Sequence, residues 1–220
     1  MKLFWVCSTS CFIFCGGVKA QIPVQDEPRH KVVLENEYVR LLDGRIPAND
    51  TTLMHIHAAN SVVVFFSKSK FGIQSTGEKP VIAEVNPGEV AYRAYGDKPV
   101  NHKVWDESET VFRFWVAELA KQHLGRDACS ALSSTRAELQ WQEKLVSAYK
   151  LRIDRGNHIN LPKSNCAYLL LAISEVTFVD LLGSLRPLQG GDFFFFPPLS
   201  EIKISNDSRE MATAVLLEIK

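Results

Sequence analysis

The sequence predicts an all-β protein of two related halves. Three observations carry this: strand-length runs of β-branched and aromatic residues between turn residues, four short segments that recur in the same order, and a composition able to bury a sizeable core. The chain has 220 residues, 46% hydrophobic and 23% charged. That fits one or two globular domains.

The amino terminus reads as a processing segment. Met1-Lys2 is a short basic start, Leu3 to Phe14 is mostly apolar, and Val18-Lys19-Ala20 offers the small residues of a cleavage site. We expect residues 1–20 to be a cleaved signal peptide and the mature protein to be secreted or periplasmic. Cys15 as a lipidation site is the weaker reading, because bulky Phe14 precedes it. The leader is too short for an ordinary membrane span, and Ala167 to Gly183 is interrupted by Glu175 and Asp180. No stable membrane span is therefore expected after cleavage. Removing Lys2 and Lys19 changes the balance from 25 basic and 25 acidic residues to 23 against 25, a net charge of −2. With no basic stripe, nucleic acid is not an expected partner. A homo-oligomer is left open.

The mature chain would keep only Cys129 and Cys166. In an oxidising compartment a bridge between them would contribute about 3 to 4 kcal/mol in the chain-entropy model. Two separate thiols are the alternative, and the spacing does not choose.

The duplication is read from four echoes. Tyr38-Val39-Arg40-Leu41-Leu42-Asp43 matches Tyr149-Lys150-Leu151-Arg152-Ile153-Asp154, and Ser61 to Ser67 matches Tyr168 to Ser174. Pro87-Gly88-Glu89-Val90 matches Gly190-Gly191-Asp192-Phe193, and Phe114 to Leu119 matches Ala214 to Ile219. Order preserved across all four is better evidence than any single echo. Between the halves, Thr135-Arg136-Ala137-Glu138 fits a helix capping box, with Ala137, Trp141 and Leu145 at one-turn spacing. A short connecting helix is expected there.

The chemistry is concentrated in three histidines. Side chains two apart on a strand share a face, so His55 and His57 project together while Ile56 points away. His102 lies in Val100 to Trp105, a second strand candidate after a turn at Gly96-Asp97. Three imidazoles suit Fe, Zn, Ni, Cu or Mn. The bland alternative is a polar strand and a surface histidine. The second half tests the choice: the alignment through Tyr168 places Pro162 and Ser164 at the positions of His55 and His57, and Ile202 at that of His102. Joint loss of all three donors is what a shared ligand set predicts. His30, His123 and His158 lack partners in the sequence and read as isolated surface residues.

Asn49 through Ser61 and Gly88 through Asp106 resemble the two sequence motifs of the cupin superfamily. From Lys31 to Lys220 the chain resembles a two-cupin (bicupin) protein with an export signal. The resemblance implies two double-stranded β-helix (jelly-roll) barrels, over 21–119 and 146–220, joined by a connecting segment at 120–145. The second barrel is degenerate at the metal site. It implies His55, His57 and His102 as ligands of one divalent transition metal, Fe ahead of Zn, Mn, Ni or Cu. The chain departs from the family pattern at Asn49, often glycine there, at Ser61, usually the carboxylate ligand, and at Asp106, near a frequent asparagine. The gap from Gly96 to His102 is also longer. What remains is a three-histidine site similar to that of cupin thiol dioxygenases. A neutral ligand set leaves more positive charge on the metal, favouring an anionic substrate or water ionisation.

Lesser candidates follow. Arg93, between Tyr92 and Tyr95, is placed to grip a carboxylate at the barrel mouth, with an exposed surface arginine as the alternative. Glu107 and Glu109 read as turn residues rather than a fourth ligand. Phe193 to Phe196 reads as a doubly buried strand, with a pocket lining or half-to-half interface as alternatives. The expected function is a metal-dependent, oxygenase-like oxidoreductase acting on a small organic acid or thiol. The alternative is an exported small-molecule binding or sensing module.

Overall fold

The computed structural model describes residues 21–120, 132, 134–161, 163–179 and 183–220. The expected leader and Cys129 lie outside them; Cys166 is disulfide-bonded. Among the described residues no helix is long and apolar enough to cross a membrane.

The first half holds β1 (Ile22–Pro23), β2 (His30–Glu35), β3 (Val39–Ile46), β4 (His55–His57), β5 (Ser61–Phe65), β6 (Ser69–Ser75), β7 (Val81–Val85), β8 (Val90–Arg93), β9 (Val100–Asp106) and β10 (Phe112–Leu119). The second holds β11 (Ala137–Gln142), β12 (Val146–Ile153), β13 (His158–Leu161), β14 (Ala167–Ala172), β15 (Val176–Val179), β16 (Leu185–Leu188), β17 (Phe193–Phe196), β18 (Ile202–Ser205) and β19 (Ala212–Ile219). Each half closes two sheets around its own interior. The first pairs the order β1-β4-β9-β6-β7 with β2-β3-β10-β5-β8; the second pairs β13-β18-β15-β16 with β11-β12-β19-β14-β17.

The strands read as continuous apolar runs because both faces of the central sheets are covered. On β5, Val62 and Val64 face the other half while Val63 and Phe65 face the first interior. On β14, Leu169 and Leu171 face the other half, and Tyr168 and Leu170 face the second interior. One apolar layer therefore joins the barrels, with Leu41, Trp115 and Ala117 meeting Val146, Val215 and Leu217. The Phe193 to Phe196 run divides the same way: Phe194 and Phe196 fill the second interior, and Phe193 and Phe195 pack into the shared layer. Arg113 clamps the two halves. It donates to Asp43 at 3.1 Å and to the Gly191 carbonyl at 2.9 Å, and lies over the Phe66 ring at 4.7 Å.

The duplication extends to the turns. Ser108 donates through its amide and hydroxyl to Asp106 Oδ1 at 3.0 and 2.6 Å, and Ser208 does the same to Asn206 Oδ1 at 2.9 and 2.7 Å. Gly88 and Gly191, partners in the third echo, have φ of 80° and 95°, a region that favours glycine.

The capping box gives a strand. Ala137–Gln142 is β11, paired antiparallel with β12 through a bulge between Leu139 and Trp141. A sheet edge offered a backbone ladder, and Ala137 and Trp141 bury their side chains against the second interior and the shared layer, which outweighs local helix propensity.

Candidate metal centre

Strand register assembles the site. β4 pairs antiparallel with β9, setting His55 directly opposite His102, Ile56 opposite Asn101 and His57 opposite Val100. Ahead of β4, Thr52 anchors the approach: its amide donates to the Val104 carbonyl at 2.8 Å, and its hydroxyl accepts from the Val104 amide at 2.9 Å. Asn49 begins this arm in the left-handed region at φ 60°, which explains a position where glycine is common and asparagine is tolerated.

The three rings converge and are buried, with 0% exposure for His55, 3% for His57 and 5% for His102. Their centroids lie 5.0 Å (His55 to His57), 4.8 Å (His55 to His102) and 5.0 Å (His57 to His102) apart. His55 Nδ1 sits 2.8 Å from the Leu53 carbonyl, which only accepts, so that nitrogen bears the proton. Its Nε2 then presents a lone pair 3.2 Å from Nε2 of His57. Nδ1 of His57 and Nδ1 of His102 are buried without a partner. Burial, with the neighbouring rings, lowers His55 to about 4 and His102 to about 3 and lowers His57 further still. Neutral, facing imidazoles with lone pairs unspent are the donor chemistry a divalent transition metal requires, so these residues fit one.

The structure adds a residue that the sequence reading set aside. His30 is buried at the start of β2 rather than an isolated surface group. Its ring lies 4.8 Å from His55 and 6.1 Å from His57, and one nitrogen from each of His30, His55 and His57 falls within 4.8 Å of the others. The usable signal was Glu27, three residues ahead of a histidine opening a strand. His158 is exposed, as expected, and His123 lies outside the described residues.

Register also corrects the internal comparison. Leu161 pairs with Ile202 as His55 pairs with His102, so the second-half counterparts of His55 and His57 are Leu161 and Lys163, not Pro162 and Ser164. Ser61 and Tyr168 stand opposite Glu118 and Glu218, so the stretch from Leu161 to Tyr168 is one residue longer than that from His55 to Ser61, which the ungapped alignment could not show. Pro162 lies outside the described residues. The conclusion survives the shift: Leu161, Lys163 and Ile202 carry no imidazole, and Leu161 and Ile202 fill the second interior.

Beside the histidines is a cavity of about 70 Å³, lined by His30, His57 and His102, by Arg93 and Tyr95, and by apolar side chains including Val63, Phe65 and Phe114. Arg93 stands opposite Ser61 across β5 and β8. Ser61, the missing carboxylate position, is buried and donates to the Ala59 carbonyl at 2.8 Å. The Tyr95 ring is 5.4 Å from His57, and burial raises its phenol, keeping it a neutral donor. Tyr92 points instead into the shared layer, its ring 5.8 Å from Trp141. Glu107 accepts from Trp105 Nε1 at 3.0 Å and lies 3.5 Å from Lys70, spent on the surface as its turn position predicts. A wider cleft of about 990 Å³ lies at the second barrel, where Lys163 is 3.5 Å from Glu201; among the described residues its lining includes no histidine.

No protein-family profile matches the chain, and comparison with curated proteins finds no match. Solved structures do. The protein YhhW from Escherichia coli superposes with a TM-score of 0.62 at 12% identity, over 87% of this chain and 89% of that one. The oxalate decarboxylase formate complex from Lactobacillus farciminis gives 0.58 at 9% identity, over 84% and 78%. A single-residue mutant of salicylate 1,2-dioxygenase from Pseudoaminobacter salicylatoxidans gives 0.58 at 10%, over 83% and 72%. At such identities the likeness is one of fold, and the fold of this chain is a pair of double-stranded β-helix barrels, with a histidine cluster in the first.

Proposed function

We propose that the first barrel binds one divalent transition metal, Fe ahead of Zn, Mn, Ni or Cu, through His55, His57 and His102. The chain would use it as a metal-dependent, oxygenase-like oxidoreductase on a small organic acid or thiol. The observation that carries this is the convergence of three buried, neutral imidazoles beside a cavity that His57, His102 and Arg93 line. A bound metal would supply Lewis-acid and redox chemistry at that point. The rest is work for the chain's own side chains. Arg93 offers a fork of donors matched to a carboxylate, opposite the place where a protein carboxylate is lacking at Ser61. Tyr95 adds a neutral hydroxyl beside His57. Val63, Phe65 and Phe114 exclude water from the inner wall. At about 70 Å³ the cavity suits a metal and a ligand of a few heavy atoms. Likeness to an oxalate decarboxylase and a salicylate dioxygenase supports this reading at the level of fold.

We further propose export, with residues 1–20 removed. Amino-terminal sequencing of the secreted chain should begin at Gln21.

Metal analysis of the purified chain tests the centre. Stoichiometric transition metal should be found and should be lost from His55→Ala and His102→Ala. Full metal in both variants would sink the assignment. Ligand stabilisation by a small carboxylate that a chelator leaves unchanged would favour the binding-module reading instead.

A further inference from the structure

We infer that His30 is a fourth metal ligand in this chain and that Glu27 is the residue that positions it, an inference that rests on the metal centre proposed above. His30 Nδ1 lies 2.7 Å from Glu27 Oε2. The Glu27 side chain is fully buried and is held by the Arg29 amide at 2.7 Å, the Leu53 amide at 3.2 Å and the Arg29 guanidinium at 3.5 Å. A carboxylate among these donors accepts only, so His30 Nδ1 carries a proton, and in the neutral tautomer that a metal would select Nε2 offers the lone pair. That is the arrangement in which a carboxylate fixes the tautomer and ring angle of a metal-binding histidine. The ring so fixed lines the same cavity as His57 and His102, and one of its nitrogens shares the 4.8 Å cluster with His55 and His57.

Two further observations separate a ligand from a merely packed ring. Glu27 reaches both sides of the site: its other oxygen holds the Leu53 amide, and the Leu53 carbonyl orients His55. One carboxylate therefore sets the angle of two imidazoles on different strands. The second barrel supplies the other observation. His30 pairs with Gly44, and Ala137 pairs with Leu151 at the equivalent place on β12, so His30 is replaced by Ala137. The position that is histidine on β2 loses its imidazole along with the counterparts of His55, His57 and His102. A ring kept only for packing has no reason to disappear with the donors.

The test is a Co2+ titration of the full mature chain stripped with chelator. The dissociation constant is read by competition with a chromophoric chelator, and the coordination by the visible Co2+ spectrum. His30→Gln and Glu27→Gln should each weaken binding by about 10- to 100-fold and alter the spectrum. His55→Ala should abolish binding. Glu27→Gln keeps the shape of the side chain and an oxygen for Leu53, so it decides the matter should His30→Gln fail to fold by circular dichroism. Unchanged affinity and spectrum in Glu27→Gln and in folded His30→Gln, with binding lost in His55→Ala, would overturn the role of His30 and leave the three-histidine centre standing. A wild-type chain that takes up no Co2+ would overturn both.

Discussion

If the histidines are kept for a metal, removing one should stabilise the metal-free chain. His102 is the cleanest place to look, because its Nδ1 is buried with no partner, whereas replacing His55 would orphan the Leu53 carbonyl. An unmet buried polar group costs about 1 to 3 kcal/mol. The second barrel shows which side chain serves instead: Ile202 occupies the equivalent position at 1% exposure. His102→Ile removes the unmet nitrogen and adds apolar burial, against a reshaping cost of up to about 1.5 kcal/mol. The net expectation is a gain of about 1 kcal/mol in urea unfolding with chelator present, followed by tryptophan fluorescence. With metal at 100 times its dissociation constant the wild type gains about 2.7 kcal/mol by mass action and the variant much less, so the ranking should reverse. A metal-free His102→Ile chain less stable than wild type would refute the argument that this imidazole is a polar cost retained for binding.

Three other outcomes follow from the same geometry. Burial, aided by neighbouring rings, lowers His55 from 6.5 to about 4, so as pH falls the unfolded chain takes up protons first. Stability of the metal-free protein should be intact above pH 6.5 and fall by about 3 kcal/mol toward pH 4 from this group alone, measurable by urea unfolding across that range; a flat profile would contradict burial of a neutral ring. Arg113→Ala should cost about 2 to 4 kcal/mol by removing the charged hydrogen bonds to Asp43 and Gly191 and the cation-π contacts, with calorimetry as the readout and partial rescue by Arg113→Lys. In Gly44→Ala the added Cβ would lie 2.6 Å from Phe114 Cζ, a ring 5.5 Å from His30; it should cost about 1 to 3 kcal/mol and weaken Co2+ binding together, whereas unaltered affinity would detach Phe114 from the site.

The sequence carried the fold through period and through three of the four echoes, which depend on neighbours along the chain. The first echo was four residues out, since the register sets Val39 at the place of Val146 rather than Tyr38 at that of Tyr149. His55 and His57 were legible because the two-residue repeat of a strand is a local rule, and His102 because its turn and strand are local too. His30 was missed although Glu27 stands only three residues back, because its approach to His55 across the barrel is set by the closed sheets. The strand at Ala137–Gln142 was misread for a related reason. A capping box is local, but the edge of β12 that captures this segment is set by the closed sheet. Pro162 and Ser164 were named in place of Leu161 and Lys163 because one inserted turn residue shifts the alignment, and only the pairing with Ile202 fixes the register.

The two barrels divide opposing demands. A site needs buried polar groups, open space and unspent lone pairs, and each of these lowers stability. The first interior accepts all three around its histidines. The second has Leu161, Ile202 and Ala137 at the positions of His55, His102 and His30, and its interior is a continuous apolar core with Phe178, Phe194 and Phe196 in mutual contact. Stability gained there can support the first barrel only if the two halves are coupled, and the shared layer with the Arg113 clamp provides the coupling. The layer covers β3, β5 and β10, and the inward faces of those strands carry Leu42, Phe65 and Phe114 around the cavity or its surrounding core. The second barrel, with an apolar interior where the first has its histidines, is thus the support against which the first barrel accommodates them.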